Sequence, residues 1–204
     1  MFLCFNVFMR CTIVGLGNPG EEYTHTRHNV GWMVLEHFRN THGLTEWEKD
    51  AKRTALVSTG EVSGVPVELV LPETFMNNSG AALKAAQYRA HPETIILVHD
   101  ELDLPFGSLR IAWNRGSAGH KGVRSVIAAL GTKAFTRLRI GISPVDAGGT
   151  IRKPRGAEEV SRFVLKKFTP SEREKMAEVI ERAGDALGTL LIEGKGEAKE
   201  TDRA

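Results

Sequence analysis

Cys11-Thr-Ile-Val-Gly-Leu-Gly-Asn-Pro-Gly20 joins a short apolar run to a glycine-rich turn. Its first six residues have the length and composition of a buried strand. Gly15, Gly17 and Gly20 match, letter for letter, the G-x-G-x-x-G of dinucleotide-binding folds. That fingerprint needs a helix that opens inside the glycines and aims its N-terminus at a pyrophosphate. Pro19-Gly20 makes a turn instead, and helical spacing begins only near residue 29. The acidic residue that should end a second strand about 20 positions later is Glu36, which falls within a helical pattern. A nicotinamide-linked oxidoreductase is set aside on that context.

Outward from this turn, apolar residues at 30, 33, 34, 35 and 38 have helical spacing, and Gly43 is a natural stop. Residues 54–60 and 65–71 flank Ser63-Gly64 and read as a hairpin. Ser79 is positioned to cap a helix running to about Ala90. Residues 94–99, 108–113 and 137–142 read as strands, with a helix over 121–130. Residues 143–158 lack periodicity and read as a surface loop. Thr169-Pro170-Ser171-Glu172 is a capping box with proline at the first helical position, opening a helix to about Ile192. Strands alternate with helices, which predicts a single α/β domain: a twisted mixed, largely parallel sheet flanked by helices. The domain is expected to span 9–193. The sequence offers two starts, Met1 and Met9, and the second would make residues 1–8 a mis-annotated leader; 194–204 are expected to be a frayed tail.

The 204 residues are enough for a substantial core without disulfide or metal staples. Cys4 and Cys11 offer no zinc framework and suit a reducing, cytoplasmic compartment. No apolar run is long enough to cross a bilayer. Charge is unevenly spread. Residues 101–170 carry 13 Lys/Arg against 5 Asp/Glu, whereas 1–100 carry 8 against 11 and 171–204 carry 6 against 9. A basic block between acidic flanks is the footprint of a phosphate-binding face; the alternative is a solvated charged surface.

Several polar residues follow strands. Asn18 follows the first, Asn77 and Asn78 follow the 65–71 strand, and His99-Asp100 closes the 94–99 strand; His28 and Asn29 open the first helix. If the strands are parallel, Asn18, Asn77 and Asp100 share the carboxyl edge of the sheet, where ligands of open α/β sheets bind. Asn and Asp are also ordinary turn and cap residues, so only their convergence with a histidine points to chemistry. Histidine can take a proton from water near neutral pH. An aspartate on its other nitrogen would set the tautomer and stabilise the imidazolium. Asparagine amides can hold the water or donate to an oxyanion. G-x-S-x-G is absent, so direct attack by water is preferred to a covalent intermediate. Neither H-E-x-x-H nor another metal motif occurs among the seven histidines, so no metal and no cofactor is expected. Gly116-Ser-Ala-Gly-His120-Lys121-Gly122 opens a helix and suits an anion at its N-terminus.

Four stretches together resemble the bacterial-type peptidyl-tRNA hydrolase family: Gly15-Leu-Gly-Asn18-Pro-Gly20 with Tyr23 and Thr26-Arg-His28-Asn29-x-Gly31; Pro72-x-Thr74-Phe-Met-Asn77-x-Ser79-Gly80; His99-Asp100-Glu-Leu-Asp-Leu-Pro105-x-Gly107; and Gly119-His120-x-Gly122 followed by Arg137-Leu-Arg139-Ile-Gly-Ile142. The similarity extends over about residues 10–193. It implies metal-free hydrolysis of the ester joining a peptide to the terminal ribose of tRNA, in the service of translation recycling, by a monomer. It implies that His28 is the general base and that Asp100 orients it. Asn18, Tyr23, Phe75, Asn77 and Lys121 would contact the substrate, and Arg110, Arg115 and Arg139 the tRNA. Peptidyl-tRNA is then the expected partner, with no membrane involved.

Two positions depart from the family's pattern. Lys121 stands where an asparagine is usual, which adds a cation beside His28. Ala112 occupies a position that is usually basic, which Arg115 is expected to offset. The 143–158 loop is longer than typical and carries Arg152, Lys153 and Arg155, so it is expected to add tRNA contacts. The main alternative is an RNA-binding relative that has lost hydrolysis; retention of Asn18, His28, Asn77 and Asp100 favours catalysis. A small-molecule esterase is the other, and the basic block favours tRNA over it.

Overall fold

The computed structural model describes residues 10–84 and 86–193, without the side chains of 86 and 87. The candidate leader and the expected tail lie outside the described residues. Seven strands are described: β1 (Cys11–Gly15), β2 (Glu48–Asp50), β3 (Ala55–Val62), β4 (Val65–Pro72), β5 (Ile95–Pro105), β6 (Leu109–Trp113) and β7 (Thr136–Ser143). They form one sheet in the order β2-β3-β4-β1-β5-β7-β6. β4, β1, β5 and β7 run parallel, and the two margins are antiparallel. The sheet is therefore mixed with a parallel centre, as the alternation of elements implied. β1 is buried along its whole length, which is why it reads as an unbroken apolar run rather than an alternating one.

Helices cover both faces: α1 (Val30–His42), α2 (Ala86–Ala90), α3 (Lys121–Leu130), α4 (Ala157–Val164) and α5 (Pro170–Glu193). Strand residues alternate between two cores. Ile13, Val98, Leu138 and Ile140 pack with Val34, Phe38, Val179 and Leu187 on the α1–α5 face. Val14, Leu97 and Val70 pack with Leu83, Val123 and Val126 on the α3 face.

Local signals explain most boundaries. Gly43 ends α1 in the left-handed conformation. Ser63 and Gly64, both at positive φ, make the two-residue turn between β3 and β4. Thr169 and Glu172 form the reciprocal capping box of α5: the Thr169 N–H donates to Glu172 Oε2 at 2.7 Å and the Glu172 N–H to Thr169 Oγ1 at 3.3 Å. Two expectations are corrected, and one element is new. Ser79 does not cap a helix; it lies inside a 3-10 segment, Met76–Leu83, and its hydroxyl donates to the Met76 carbonyl. The 143–158 stretch is not all loop, since α4 begins at Ala157 with Val160, Phe163 and Val164 on one side. β2, a polar edge strand of three residues, was not expected, because it carries no apolar period.

The start of α1 lies unusually close to the strands beneath it. A Cβ on Gly31 would sit 2.6 Å from the Val98 carbonyl oxygen and 2.7 Å from the Leu16 nitrogen. Both neighbours are backbone, so neither can swing aside. This approach brings the turn before α1 over the end of β5. Gly31→Ala is expected to destabilise the fold by about 1–3 kcal/mol through overpacking. A urea-unfolding midpoint equal to the parent's would show that the approach is not tight.

Candidate active site

Parallel pairing carries the chain out of β1 and β4 at the same edge of the sheet, with β5 running on past them. Gly15 ends β1 opposite Val98, so β5 extends beyond it with β7 as its remaining partner, Asp100 facing Ile140. Asn18 lies in the turn after β1 and ties three segments together. Its Oδ1 accepts from the Met76 N–H at 2.8 Å, its own N–H donates to Asn29 Oδ1 at 3.0 Å, and its carbonyl accepts from Asn29 Nδ2 at 2.9 Å. With Oδ1 taken, Nδ2 is the group Asn18 has left for a ligand.

His28 sits in a 3-10 turn, Arg27–Asn29, that opens onto α1. Its Nδ1 lies 2.8 Å from Asp100 Oδ1. Because a carboxylate only accepts, Nδ1 carries the proton and Nε2 keeps its lone pair. The same Oδ1 is 2.9 Å from His120 Nε2. His120 is the N-cap of α3, and its Nδ1 accepts from the N–H groups of Gly122 and Val123 at 3.1 and 3.3 Å. Those two donors require a lone pair on Nδ1, so the ring's proton is on Nε2 and points at Asp100. The anion reading of this helix start is corrected by the same contacts: two of its free N–H groups are spent on an imidazole. His99 lies behind, fully buried, with Nδ1 donating to the Asp100 carbonyl at 2.7 Å and its ring edge-on to His120.

Asp100 is 1% exposed. Burial alone would push its carboxyl up, but the two imidazoles outweigh that and hold it well below the usual carboxylate range. Burial drives His99 the other way, well below an ordinary histidine, with His120 adding to the effect. The cluster thus combines an ionised buried carboxylate, two N–H groups donating to it, and one free ring nitrogen on His28.

Tyr23 and Phe75 meet edge to face with centroids 6.3 Å apart, and Phe75 is 59% exposed. Asn77 is exposed in the 3-10 segment anchored by Asn18, and Lys121 is exposed at the first turn of α3. The expected basic residues fall on and beside β6 and β7. Arg110 pairs with Arg139 across the strands, Arg139 Nε donates to Glu101 Oε2 at 3.0 Å, and exposed Arg115 follows β6. Sequence reasoning missed two residues. One is His120, whose motif was noted but whose side chain was given no role. The other is Arg137, on the same face of β7 as Arg139 by strand alternation. Arg137 is 2% exposed; Nη1 donates to the Gly116 carbonyl at 2.8 Å, while Nε and Nη2 are unpartnered. Burial, with Arg139 nearby, lowers its pKa to about 10.

Among the described residues, His28, Asp100 and His120 offer ligand atoms within 4.8 Å of one another and are the group that could hold a metal. Their hydrogen bonds already satisfy that set with protons. No described helix is long and apolar enough to cross a membrane.

A family model described as peptidyl-tRNA hydrolase matches residues 12–203. The chain is 45% identical over 186 residues to a peptidyl-tRNA hydrolase of Roseiflexus castenholzii, covering 89% of this chain and 81% of that protein. It is 39% identical over 194 residues to one of Mycolicibacterium smegmatis, covering 94% and 96%. Among solved structures, peptidyl-tRNA hydrolase from Acinetobacter baumannii superposes with a TM-score of 0.79 at 36% identity, covering 91% of this chain and 89% of that one.

Because the Asp100 carboxyl is depressed in the folded state, its contribution to stability is present above the unfolded-state value of about 4. That contribution is lost as pH falls toward the folded value. Asp100→Asn is expected to flatten the acid limb of stability against pH, measured by urea unfolding between pH 7 and 3. An acid limb as steep as the parent's would rule out the ionised, doubly hydrogen-bonded carboxylate.

Proposed function

The chain belongs to the peptidyl-tRNA hydrolase family, and we propose that it hydrolyses the ester of peptidyl-tRNA with a water molecule activated by His28. The observation that carries this reading is the 2.8 Å contact between His28 Nδ1 and Asp100, which leaves Nε2 as a base at the sheet's carboxyl edge. Water loses a proton to Nε2 as its oxygen attacks the ester carbonyl carbon. The tetrahedral oxyanion collapses, the bond to the ribose oxygen breaks, and the imidazolium returns the proton to that oxygen. The products are tRNA with a free terminal hydroxyl and a peptide carboxylic acid, which keeps water's other proton until it ionises to the carboxylate and releases it to solvent. Asp100 stabilises the imidazolium and holds the tautomer. Asn18 Nδ2 and the Asn77 amide are the donors assigned to substrate or oxyanion in this reading. The Tyr23–Phe75 pair offers aromatic faces to the substrate, and Lys121 a cation at the rim.

In this reading the tRNA phosphates are met by Arg110, Arg115 and Arg139. Arg137 supports them: a buried guanidinium with two unpartnered nitrogens is unfavourable until an anion arrives. The 144–156 segment adds Arg152, Lys153 and Arg155, braced by ion pairs of Arg152 with Asp146 and Lys153 with Asp103. We take the enzyme to work in the cytoplasm as a monomer, which the cysteine usage and the lack of a heptad pattern support.

His28→Ala is expected to lower the rate of hydrolysis of a labelled N-acyl-aminoacyl-tRNA by about 10²–10⁴-fold; turnover equal to the parent's would remove His28 as base. Replacing Arg139, or the three basic residues of the 144–156 segment, is expected to weaken tRNA binding. The slope of log K against log salt should then fall by roughly 0.7–0.9 for each phosphate left unneutralised. An unchanged slope would take that group out of the tRNA interface.

A further inference from the structure

Three adjacent side chains leave the turn before α1 in three directions, as 3-10 geometry with three residues per turn requires. His28 goes to Asp100 and Asn29 to the Asn18 backbone. Arg27, 4% exposed, goes to neither and reaches the junction of α4 and α5. Its Nη1 donates to the carbonyls of Lys166 and Lys167, both at 3.0 Å. Its Nη2 donates to both Glu172 oxygens, at 2.7 and 2.8 Å. The guanidinium carbon lies 4.7 Å from the centre of the Phe163 ring and 5.1 Å from that of Phe168.

The backbone repeats the connection. The Arg27 N–H donates to the Lys166 carbonyl at 3.2 Å, the Phe168 N–H to the His25 carbonyl at 3.2 Å, and Thr26 forms a β-bridge with Lys167. Glu172 is itself immobilised as the capping-box residue of α5. Burying a guanidinium is costly even when it is paired, and Arg27 Nε stays without a partner although both Nη atoms are bonded. Here that cost falls one residue from the base, on a side chain with no bond to the His28–Asp100–His120 cluster.

Backbone bonds tie the start of the turn to the α4–α5 junction, and Asn29 ties its end to Asn18. The Arg27 side chain reinforces the first of these holds, next to His28, with two carbonyl bonds and the contact to Glu172. We propose that Arg27 is a positioning residue for His28, which fixes the catalytic turn against the α4–α5 junction so that Nδ1 stays on Asp100. The role rests on His28 being the base. A displacement of about 1 Å at a reacting group costs up to about 10²-fold in rate, which is the scale expected here.

The test is a double-mutant cycle on N-acyl-aminoacyl-tRNA hydrolysis, run well below the melting temperature of every variant. Arg27→Lys keeps the charge but loses the bidentate pair, and is expected to lower kcat about 10- to 100-fold with KM within about twofold. Glu172→Gln, which leaves the bonds to the Lys166 and Lys167 carbonyls intact, should act in the same direction and more weakly, and serves if Arg27→Lys fails to fold. In the His28→Ala background, either change should leave the residual rate nearly unaltered. Unchanged kcat in a folded variant, with only the melting temperature lowered, would reduce Arg27 to a structural tie and overturn the proposal. So would an equal loss with and without His28. If His28→Ala is itself fully active, the base assignment falls and the positioning role with it. If it is impaired while both neighbours are silent, only the positioning role falls.

Discussion

A single carboxylate oxygen, Oδ1 of Asp100, accepts from two imidazoles within the interior of the protein. The site depends on this arrangement. A lone buried carboxylate would neutralise itself by taking up a proton. With two N–H donors it remains charged, and in the proposed reaction that charge would stabilise an imidazolium on His28. In the proposed reaction His120 would not compete for the role of base, because α3 donates two backbone N–H groups to its Nδ1. Protonating that nitrogen would turn both contacts repulsive. The two histidines therefore differ not in kind but in which nitrogen the fold leaves free.

The sheet makes this convergence possible. Where β1 ends at Gly15, β5 continues, and the place beside Asp100 is not filled by another strand on that side. The turn before α1 arrives from one face and the start of α3 from the other, and both reach the same carboxylate at the edge. The close seat of Gly31 on Val98 and Leu16 sets the height of the first approach. The cap on α3 sets the second.

Much of this was legible in the sequence because the central strands are buried on both faces and stand out as apolar runs between turns. Parallel pairing was the one assumption needed to bring Asn18 and Asp100 to a common edge. Other features were hidden for identifiable reasons. Histidine is not among the favoured cap residues, so a glycine-rich run before α3 read as an anion cradle, while its N–H groups in fact serve His120. Ser79 looked like a cap, yet its hydroxyl turns back to Met76. β2 has too few residues for any period to show. Arg137 differs from Arg139 only in depth, which a strand pattern does not encode.

Strand alternation also separates two acidic neighbours that would otherwise interfere. Asp100 and Glu101 alternate along β5: Asp100 meets the imidazoles of His28 and His120 at the sheet's edge, while Glu101 meets Arg139 on β7. Two adjacent carboxylates on one face would raise each other's pKa and compete for the same donors. Sent to opposite faces, each finds its own partner: imidazoles for one, a guanidinium for the other. Glu101 is further engaged by the Asp103 N–H at 3.1 Å, within the irregular stretch where β5 shifts register against β7. The pleat of β5 thus keeps the carboxylate bonded to His28 apart from the carboxylate bonded to Arg139. A phosphate drawing Arg139 away from Glu101 would leave the hydrogen bonds of Asp100 intact.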